Sequence, residues 1–344
     1  MGWRAVAPKI DWRIPERLRS QQTLGRRLTG LVLLLGTGAL AMGCAVGTAI
    51  PGQSPSVTIS RLPDEPIGLR TAPGVELLAA YALAGRDPRF GGFSAIETDG
   101  RTLWLLSDRA TLWRAAVDID GATGDLVALD WQVGELVGDA LDRRPLDSEA
   151  LALAPDGTLF AAFEHDDSLR RLSPLPSGDW STERLHPGRL IEGSPRNQGL
   201  EALARLADGS LVALSEGARL APDVVEGARL TQAGVTPFGY AISPGFDPVG
   251  AAAKDGHLYV LERSLSVLGG WQSRLSRSIV PASGEWGTLE GEELIRIGAG
   301  PLAENYEGVA ILEHDAEAAS ILLIADDNQS ALQRTLLLVF SYAG

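Results

Sequence analysis

The sequence lacks most of the side chains on which common hydrolase and metal sites are built. Its single cysteine, Cys44, excludes an internal disulfide and a thiolate metal cluster, so the fold must stand on packing. The four histidines, at positions 165, 186, 257 and 314, are scattered and form no paired motif on a helix. There is no Gly-x-Ser-x-Gly sequence, which excludes the usual nucleophile elbow of serine hydrolases. Any catalysis must therefore use other side chains.

Positive charge is also scarce. The chain has 30 Lys and Arg against 44 Asp and Glu, a formal net charge of −14, and its only lysines are Lys9 and Lys254. This balance excludes nucleic acid as the main partner, because binding a polyanion requires a basic surface. The charge is uneven, at +5 over residues 1–43 and −19 over the remainder. The sequence therefore divides into a short basic leader and a long acidic domain.

The leader contains an apolar run that indicates export. Residues 31–50 carry no charge, and about 20 such residues can span a bilayer or form the core of a signal peptide. The order Leu40-Ala-Met-Gly-Cys44 resembles a bacterial lipobox, in which a small residue precedes a lipidated cysteine. We predict that residues 1–44 are a lipoprotein leader with lipidation at Cys44. An uncleaved membrane anchor or an ordinary signal peptide is the alternative. Each of these places the domain on the periplasmic side of a bacterial membrane.

Glycine and proline are abundant, at 40 and 20 residues. In residues 45–74 they occur with Ser and Thr and without an apolar period, which predicts a flexible linker. In residues 75–344 they separate short apolar runs and follow no collagen period. That pattern predicts many tight turns between short strands, and so an all-β domain.

A hairpin pattern repeats along this domain. Four segments place Asp-Gly between two short apolar runs, which is a strong short-range hairpin signal. Their central glycines are about 50 residues apart, at Gly100, Gly157, Gly209 and Gly256. A longer fifth copy runs from Glu307 to Asp327. Hairpins at this period, with room for two further strands each, predict a β-propeller.

Five blades can be counted, and a sixth would require further strands within residues 217–245. The fifth hairpin is followed by only one more strand, 335–342, before the chain ends. Its blade therefore needs a strand from elsewhere. We predict that residues 75–83 supply it, closing the ring by pairing the first strand with the last.

Acidic residues recur at both ends of the repeated hairpins. The start of the first strand lies beside the end of the second in an antiparallel pair, so these carboxylates should gather on one face of the propeller. Like charges this close require a cation, and Ca²⁺ is the usual partner of carboxylate oxygens. Simple solvation of polar strand ends is the alternative.

Three sets of site residues follow from this pattern. The predicted metal ligands are Asp108, Glu149, Glu164, Glu201, Glu307 and Asp327. The predicted catalytic residues, as ligands or general base, are Glu149, Glu201, Glu262 and Glu307. The predicted substrate-binding residues are Arg109, Arg263 and Asn328, which directly follow acids and would hold an anionic group.

These motifs resemble the phytase-like family, also described as "esterase-like activity of phytase". The resemblance covers residues 75–342 in order, through Gly91-Gly-Phe-Ser94, Ser107-Asp-Arg109, Asp147-Ser-Glu149, Asn197-Gln-Gly-Leu-Glu201, Leu261-Glu-Arg-Ser264, Asn305-Tyr-Glu-Gly308 and Asp326-Asp-Asn328. It implies a β-propeller, export in bacteria and distant similarity to calcium-dependent propeller phytases.

Three functions fit this sequence. The first is a Ca²⁺-dependent hydrolase of a small anionic ester or phosphoester, which a wide acidic funnel would favour. The second is a non-catalytic periplasmic propeller that binds a cation, sugar or protein, which an acidic face without a facing basic group would favour. The third is a lactonase-like hydrolase, which about four oxygens converging on one buried metal would favour.

Overall fold

The structure is a computed structural model that describes residues 54–63, 66–138, 147–186, 188–195, 198–267, 269–314 and 318–343. Within these ranges the chain is all β, as predicted, with one short 3-10 turn at Glu164–Asp166. None of the described segments forms a helix long and apolar enough to cross a membrane. The predicted leader, with Cys44, lies outside the described residues.

The strands, in chain order, are β1 (Val57–Arg61), β2 (Leu69–Thr71), β3 (Val75–Gly85), β4 (Phe93–Thr98), β5 (Thr102–Ser107), β6 (Thr111–Ile119), β7 (Leu126–Val137), β8 (Ser148–Leu153), β9 (Leu159–Phe163), β10 (Ser168–Pro174), β11 (Trp180–Arg184), β12 (Leu200–Arg205), β13 (Leu211–Ala221), β14 (Val224–Thr231), β15 (Gly234–Ala241), β16 (Asp247–Lys254), β17 (His257–Ser266), β18 (Gly270–Ile279), β19 (Thr288–Leu289), β20 (Glu292–Ile297), β21 (Asn305–Glu313), β22 (Ala319–Asp326) and β23 (Thr335–Tyr342).

These strands form four hydrogen-bonded sheets. Their orders are β1-β3-β23-β22-β21, β4-β5-β6-β7-β11-β10-β9-β8, β12-β13-β14-β15-β19 and β16-β17-β18-β20-β2. The eight-stranded sheet consists of two antiparallel units, β4–β7 and β8–β11, which are joined only by a short parallel pairing of β7 with β11. The fold is therefore built from five antiparallel units.

Each unit contains one of the predicted hairpins. We call these pairs the central hairpins, numbered first to fifth: β4–β5, β8–β9, β12–β13, β16–β17 and β21–β22. The first strands of neighbouring central hairpins contact one another in the order β4, β8, β12, β16, β21 and back to β4. The strands within 217–245, where a sixth blade would have to lie, instead complete the sheet of the third hairpin.

The first and last strands of the predicted domain pair as expected. β3 runs antiparallel to β23, with Val75 opposite Tyr342 and Leu83 opposite Thr335. The fifth central hairpin thus receives its fourth strand from residues that precede the first hairpin. This pairing ties together two segments far apart in sequence.

Five apolar clusters lie between the units, and each joins two neighbours. One cluster, for example, packs Trp113 of β6 and Phe93 of β4 against Leu337 of β23 and Ile324 of β22. Another packs Phe160 of β9 against strands of the third unit. Burial between the sheets, rather than one central core, therefore holds the units together.

The linker predicted over residues 45–74 needs a correction. Within it, β1 pairs with the outer edge of β3, and β2 pairs with β20. The reason is an apolar pattern too short to stand out: Val57 and Ile59 alternate along β1 and pack on one apolar cluster, and Leu69 packs on another. Both segments are edge strands of the domain.

Candidate functional site

A β-bulge at the same place in every central hairpin positions the site. At the end of each hairpin that is farther from the turn, the first strand contains one extra residue, so the pairing register shifts by one. A bulge of this kind turns the extra side chain away from the regular pleat, and such bulges often lie next to functional sites. The residues at the bulge are Ser94, Glu149, Glu201, Val249 and Glu307. Three of the five are glutamates.

The second strand of each hairpin contributes a matching position beside the bulge. On the second strand, one residue pairs with the first-strand residue that precedes the bulge. The matching position is the next residue along the second strand. The five residues are Asp108, Glu164, Glu216, Arg263 and Asp326. Four are acids, and the fourth hairpin has an arginine instead. We call Asp108, Asp147, Glu149, Glu164, Glu201, Glu216, Glu307 and Asp326 together the acidic ring.

Two overlapping triads of carboxyl groups lie in the acidic ring. Asp147, Glu149 and Glu164 form one, and Glu164, Glu201 and Glu216 form the other. Within each triad the ligand oxygens lie within 4.8 Å of one another. Glu164 belongs to both triads and is only 9 % exposed. The second and third central hairpins therefore meet at a dense group of five acids.

Burial, with repulsion from neighbouring carboxylates, raises the pKa values of the four glutamates of this group, Glu149, Glu164, Glu201 and Glu216. The pKa of Glu149 lies well above its usual range, chiefly because the group is buried and also because of the charge of Glu201. The pKa of Glu201 is raised well above normal by burial and then by the charge of Glu216. A hydrogen bond with Asp147 further raises the pKa of Glu149, and one with Glu164 further raises the pKa of Glu201. Burial and mutual repulsion therefore oppose the ionisation of these glutamates.

The opposite side of the acidic ring carries its own countercharge. Arg263 forms an ion pair with Glu307 through Nη1, which also donates to Asn305 Oδ1 at 3.0 Å. Its Nη2 lies 3.7 Å from Glu216 Oε1. Asn305 Nδ2 in turn donates to Glu307 Oε1 at 2.8 Å. The predicted site residue Arg263 therefore lies among the acids of the ring, but its guanidinium binds protein carboxylates.

Asp326 and Asp108 complete the acidic ring. Burial raises the pKa of Asp326 to about 6, despite a hydrogen bond that its Oδ1 accepts from the backbone N–H of Asn328 at 2.7 Å. Burial also raises the pKa of Asp108, with a smaller contribution from the charge of Asp147. Asp108 Oδ1 accepts a hydrogen bond from the Ser107 hydroxyl at 3.1 Å.

Glu262 does not belong to the acidic ring, contrary to its predicted catalytic role. Its side chain is fully buried, and Oε1 accepts a hydrogen bond from Arg274 Nη1 at 2.5 Å while Oε2 accepts one from the Ser243 N–H at 2.9 Å. Burial raises its pKa, and Arg274 opposes that shift. Successive side chains of a strand point to opposite faces, so Glu262 and Arg263 cannot share a direction. Glu262 is a structural partner of Arg274.

The remaining predicted residues lie at the edge of the site. Asp327 has its oxygens occupied by local donors, the backbone N–H groups of Gly92 and Gln329 and the hydroxyl of Thr335, at 3.0 to 3.1 Å. It is therefore held as a loop-stabilising group. Arg109 is exposed and donates to the carbonyl oxygens of Arg89 and Gly91 at 3.3 and 3.4 Å. Asn328 is exposed and has a positive φ of 47°.

Another buried carboxyl lies outside the acidic ring. Glu97 is further along β4, and its Oε1 accepts a hydrogen bond from the Leu153 N–H at 3.2 Å. Burial raises its pKa to about 8. It joins the first strands of the first and second central hairpins.

The two triads fit a hard divalent cation. Their donors are all carboxylate oxygens, which Ca²⁺ prefers at about 2.3–2.6 Å. Two oxygens bound to one Ca²⁺ are at most about 4.6–5.2 Å apart, and the oxygens of each triad lie within 4.8 Å of one another. Among the described residues, no basic side chain forms an ion pair with Glu149, Glu164 or Glu201. Both the negative charge of these acids and their carboxylate oxygens therefore suit a divalent cation.

The comparison with known families decides the relationship. The family model described as phytase-like, "Esterase-like activity of phytase", matches residues 88–329. The chain belongs to this family. The predicted resemblance is confirmed, and the matched range includes every residue of the acidic ring.

No curated protein matches the phytase-like chain. Among solved structures, virginiamycin B lyase from Staphylococcus aureus is 10% identical, with a TM-score of 0.37 and coverage of 84% of this chain and 99% of that one. The PQQ-bound aldose sugar dehydrogenase of Streptomyces coelicolor is 13% identical, with a TM-score of 0.39 and coverage of 84% and 100%. An α-L-arabinofuranosidase from Clostridium thermocellum is 14% identical, with a TM-score of 0.41 and coverage of 73% and 94%.

The prediction of site residues omitted four members of the site. Asp147 and Asn305 lie two residues before the bulge in their hairpins, and Glu216 and Asp326 lie at the matching second-strand position. The hairpin pattern itself pairs Glu201 with Glu216, and Glu307 with Asp326 or Asp327, among the converging acids. A count from the turn supports Glu216 as a ligand, because Glu164, Glu216 and Arg263 each lie seven residues after their turn glycine. The bulges themselves have no such signal in the sequence.

Proposed function

We propose that this phytase-like protein is an exported, Ca²⁺-dependent hydrolase of a small ester or phosphoester. One observation carries the proposal: five carboxyl groups from two adjacent hairpins converge in two triads that share Glu164. The raised pKa values of Glu149 and Glu201 mean that the protein holds these carboxyl groups together at a cost in free energy. A cation that neutralises them would remove that cost.

The proposal includes a closed ring of five blades. Two features support it: the apolar clusters each join two neighbouring units, and the first strands of the central hairpins contact one another in cyclic order. In such a ring the five bulges face a common axis, and the acidic ring surrounds it. Inner strands at the axis of a propeller are a common place for a binding site.

In this proposal, Asp147, Glu149, Glu164, Glu201 and Glu216 supply the ligands for the cation. A bound Ca²⁺ would polarise the ester oxygen and lower the pKa of a water molecule. The pKa values of Glu149 and Glu201 lie well above the usual range, so either of them can accept a proton from the attacking water when it does not bind the cation. Arg109, exposed beside Asp108, would hold an anionic group of the substrate.

The test compares cation binding with hydrolysis. In chelator-treated protein, millimolar Ca²⁺ should raise the Tm by a few degrees, since a ligand at about a hundredfold excess over Kd stabilises the native state by about 2.7 kcal/mol. The Glu164→Gln variant should lose most of that rise, because it removes the ligand common to both triads. The control Glu76→Gln changes an exposed acid on β3 and should keep it.

Activity is measured in the same samples with p-nitrophenyl phosphate and p-nitrophenyl butyrate. Hydrolysis that requires Ca²⁺ and is lost in Glu164→Gln supports the proposal. A Tm that does not respond to Ca²⁺ or chelator rejects the cation site. Calcium binding without hydrolysis of either ester class would leave a binding propeller as the function.

We also propose that Cys44 is lipidated and attaches the exported domain to a membrane. The position of this single cysteine at the end of the apolar run supports the proposal. Cys44→Ala should abolish lipid labelling and release the domain from the membrane fraction. Unchanged membrane attachment would indicate an uncleaved anchor instead.

A further inference from the structure

One side chain breaks the acidic pattern of the central hairpins. At the second-strand position beside the bulge, four hairpins have an acid and the fourth has Arg263. The bulge residue of that hairpin is Val249, where three others have glutamate. The fourth hairpin therefore contributes a positive charge to the acidic ring and no carboxylate at either of these positions.

The guanidinium of Arg263 lies between two acids from the neighbouring hairpins. It pairs with Glu307 of the fifth hairpin and lies 3.7 Å from Glu216 of the third. Asn305 connects to the same group, since its side-chain oxygen accepts a hydrogen bond from Arg263 while its nitrogen donates to Glu307. These are contacts that a metal ion could make with the same carboxylates.

The surroundings of Arg263 hold it in this position. Its side chain is 22 % exposed, and its guanidinium carbon lies 5.7 Å from the ring centroid of Trp271. An arginine keeps its charge at any physiological pH, so the neutralisation that it supplies is independent of the concentration of any ion. The guanidinium thus offsets part of the negative charge on this side of the acidic ring without a ligand, whereas Glu149, Glu164 and Glu201 form no ion pair with a basic side chain among the described residues.

We infer that Arg263 is a built-in cation that takes the place of one divalent ion in the acidic ring. It is a positioning residue that holds Glu216 and Glu307 and limits how many ions the ring binds. The inference extends the proposed function, because it concerns the cation stoichiometry of the same site. It predicts that removal of the guanidinium creates a place for one more ion between Glu216 and Glu307.

The experiment counts Ca²⁺ per chain by equilibrium dialysis and isothermal titration calorimetry. Arg263→Met should bind one more Ca²⁺ than the wild type, and its Tm should depend more steeply on Ca²⁺. Arg263→Lys keeps the positive charge and should bind the wild-type number. The double variant Arg263→Met with Glu307→Gln loses a carboxylate of the new position and should also bind the wild-type number.

Arg274→Met is the matched control. It removes another arginine that pairs with a buried glutamate, Glu262, but outside the acidic ring. It should gain no Ca²⁺. If it gains an ion as well, the extra ion only reflects an unpaired buried carboxylate, and the assignment to Arg263 is wrong.

Loss of folding is also decisive. If Arg263→Met folds only in Ca²⁺, the ion has replaced the guanidinium, as inferred. If it fails to fold even in millimolar Ca²⁺ while the double variant folds, no ion can replace Arg263 and the inference is wrong. A folded Arg263→Met that binds the wild-type number also overturns it.

The outcomes separate this inference from the proposed function. A wild type that binds no Ca²⁺, with an Arg263→Met variant that binds one, would reject the proposed calcium-dependent hydrolase and keep the role of Arg263. A wild type that binds Ca²⁺, with an Arg263→Met variant that binds no more, would keep the proposed calcium site and reject the role of Arg263.

Discussion

The two ends of the central hairpins carry the same kinds of acids in opposite environments. At the bulged end, Glu149 and Glu201 are crowded and their pKa values are raised by burial and by neighbouring charge. At the turn end, the pKa of Asp156 is lowered by hydrogen bonds from the backbone N–H and the side chain of Thr158. The pKa of Asp208 is also lowered, because hydrogen bonds from Ser210 and the charge of Arg229 outweigh its partial burial.

This difference shows that acidity alone does not identify a site. The turn acids accept hydrogen bonds from the loop that contains them. Asp208, for example, accepts hydrogen bonds from the N–H and the hydroxyl of Ser210 at 2.9 and 2.6 Å. Such turn contacts stabilise the local backbone. The acids at the bulge have fewer local donors and face other carboxyls. The backbone geometry, a bulge or a turn, decides which role an acid has.

The largest expected difference between the two ends is the loss of stability that an added methyl group causes. In Gly308→Ala, next to the bulge of the fifth hairpin, the new carbon would lie 2.8 Å from the backbone nitrogen of Ile96 and 2.5 Å from a methyl of Ile324. The backbone of the adjacent hairpin cannot rotate away, so we expect a loss of about 3 kcal/mol in the free energy of unfolding.

Gly157→Ala is the matched change at the turn end. Its new carbon would have no neighbour within 4 Å, so only the positive φ of 83° opposes it. We expect a loss of about 1 kcal/mol. Urea denaturation of both variants measures the difference, and equal losses would show that the bulged ends do not pack as closely as the structure indicates.

The turn ends could be predicted from sequence, and the bulged ends only in part. Asp-Gly turns depend on the local tolerance of glycine for positive φ, so Gly157 and Gly209 were placed correctly, at φ of 83° and 88°. The pairing of β3 with β23 could also be predicted, because the last hairpin had no other fourth strand. These are consequences of local chemistry or of counting.

The register of the fourth hairpin could not be predicted in this way. Its turn is a two-residue loop, since Lys254 pairs with His257, whereas Leu153 pairs with Leu159 around a longer loop in the second hairpin. Alignment of acids at both ends therefore gave the catalytic role to Glu262 and left its neighbour Arg263, which occupies the matching position, as a substrate-binding residue. A shift of one residue reverses the direction of a side chain, so this small error exchanged a structural acid for a residue of the ring.

The second expected effect is an opposite response to pH at the two ends. The pKa of Asp326 in the folded protein is about 6, above the 3.8 of an unperturbed aspartate, so its contribution to stability is complete below about pH 3.8 and is lost as the pH rises through 6. We expect a loss of about 2 kcal/mol over that window in chelator-treated protein, allowing for partial solvent exposure. Asp156, with a lowered pKa, contributes stability that is present above pH 3.8 and lost as the pH falls.

Urea denaturation from pH 4 to 7 measures this response. Asp326→Asn should flatten the decline, whereas Asp156→Asn should leave it unchanged. Calcium should restore the stability lost at pH 7, since it replaces the protons that the acids bind. A metal-free protein that becomes more stable as the pH rises from 4 to 7 would contradict the charge repulsion assigned to the acidic ring.

The smallest expected effect tests whether the turn end takes any part in cation binding. Asp208 pairs with Arg229, and its side chain is 51 % exposed, so the ion pair is weak and screened by salt. Asp208 also lines a cavity of about 700 Å³ at this end of the hairpins, together with Lys254 and Glu313.

Asp208→Asn should cost about 0.5 kcal/mol at low ionic strength and less at about 1 M NaCl, because screening already weakens the pair that it removes. Its rise in Tm on addition of Ca²⁺ should equal that of the wild type, whereas Glu164→Gln should lose that rise. Thermal unfolding at both salt concentrations, with calcium and with chelator, measures all of these quantities. A reduced calcium response in Asp208→Asn would mean that the cation binds at the turn end as well, and that the two ends do not differ in function as their pKa shifts indicate.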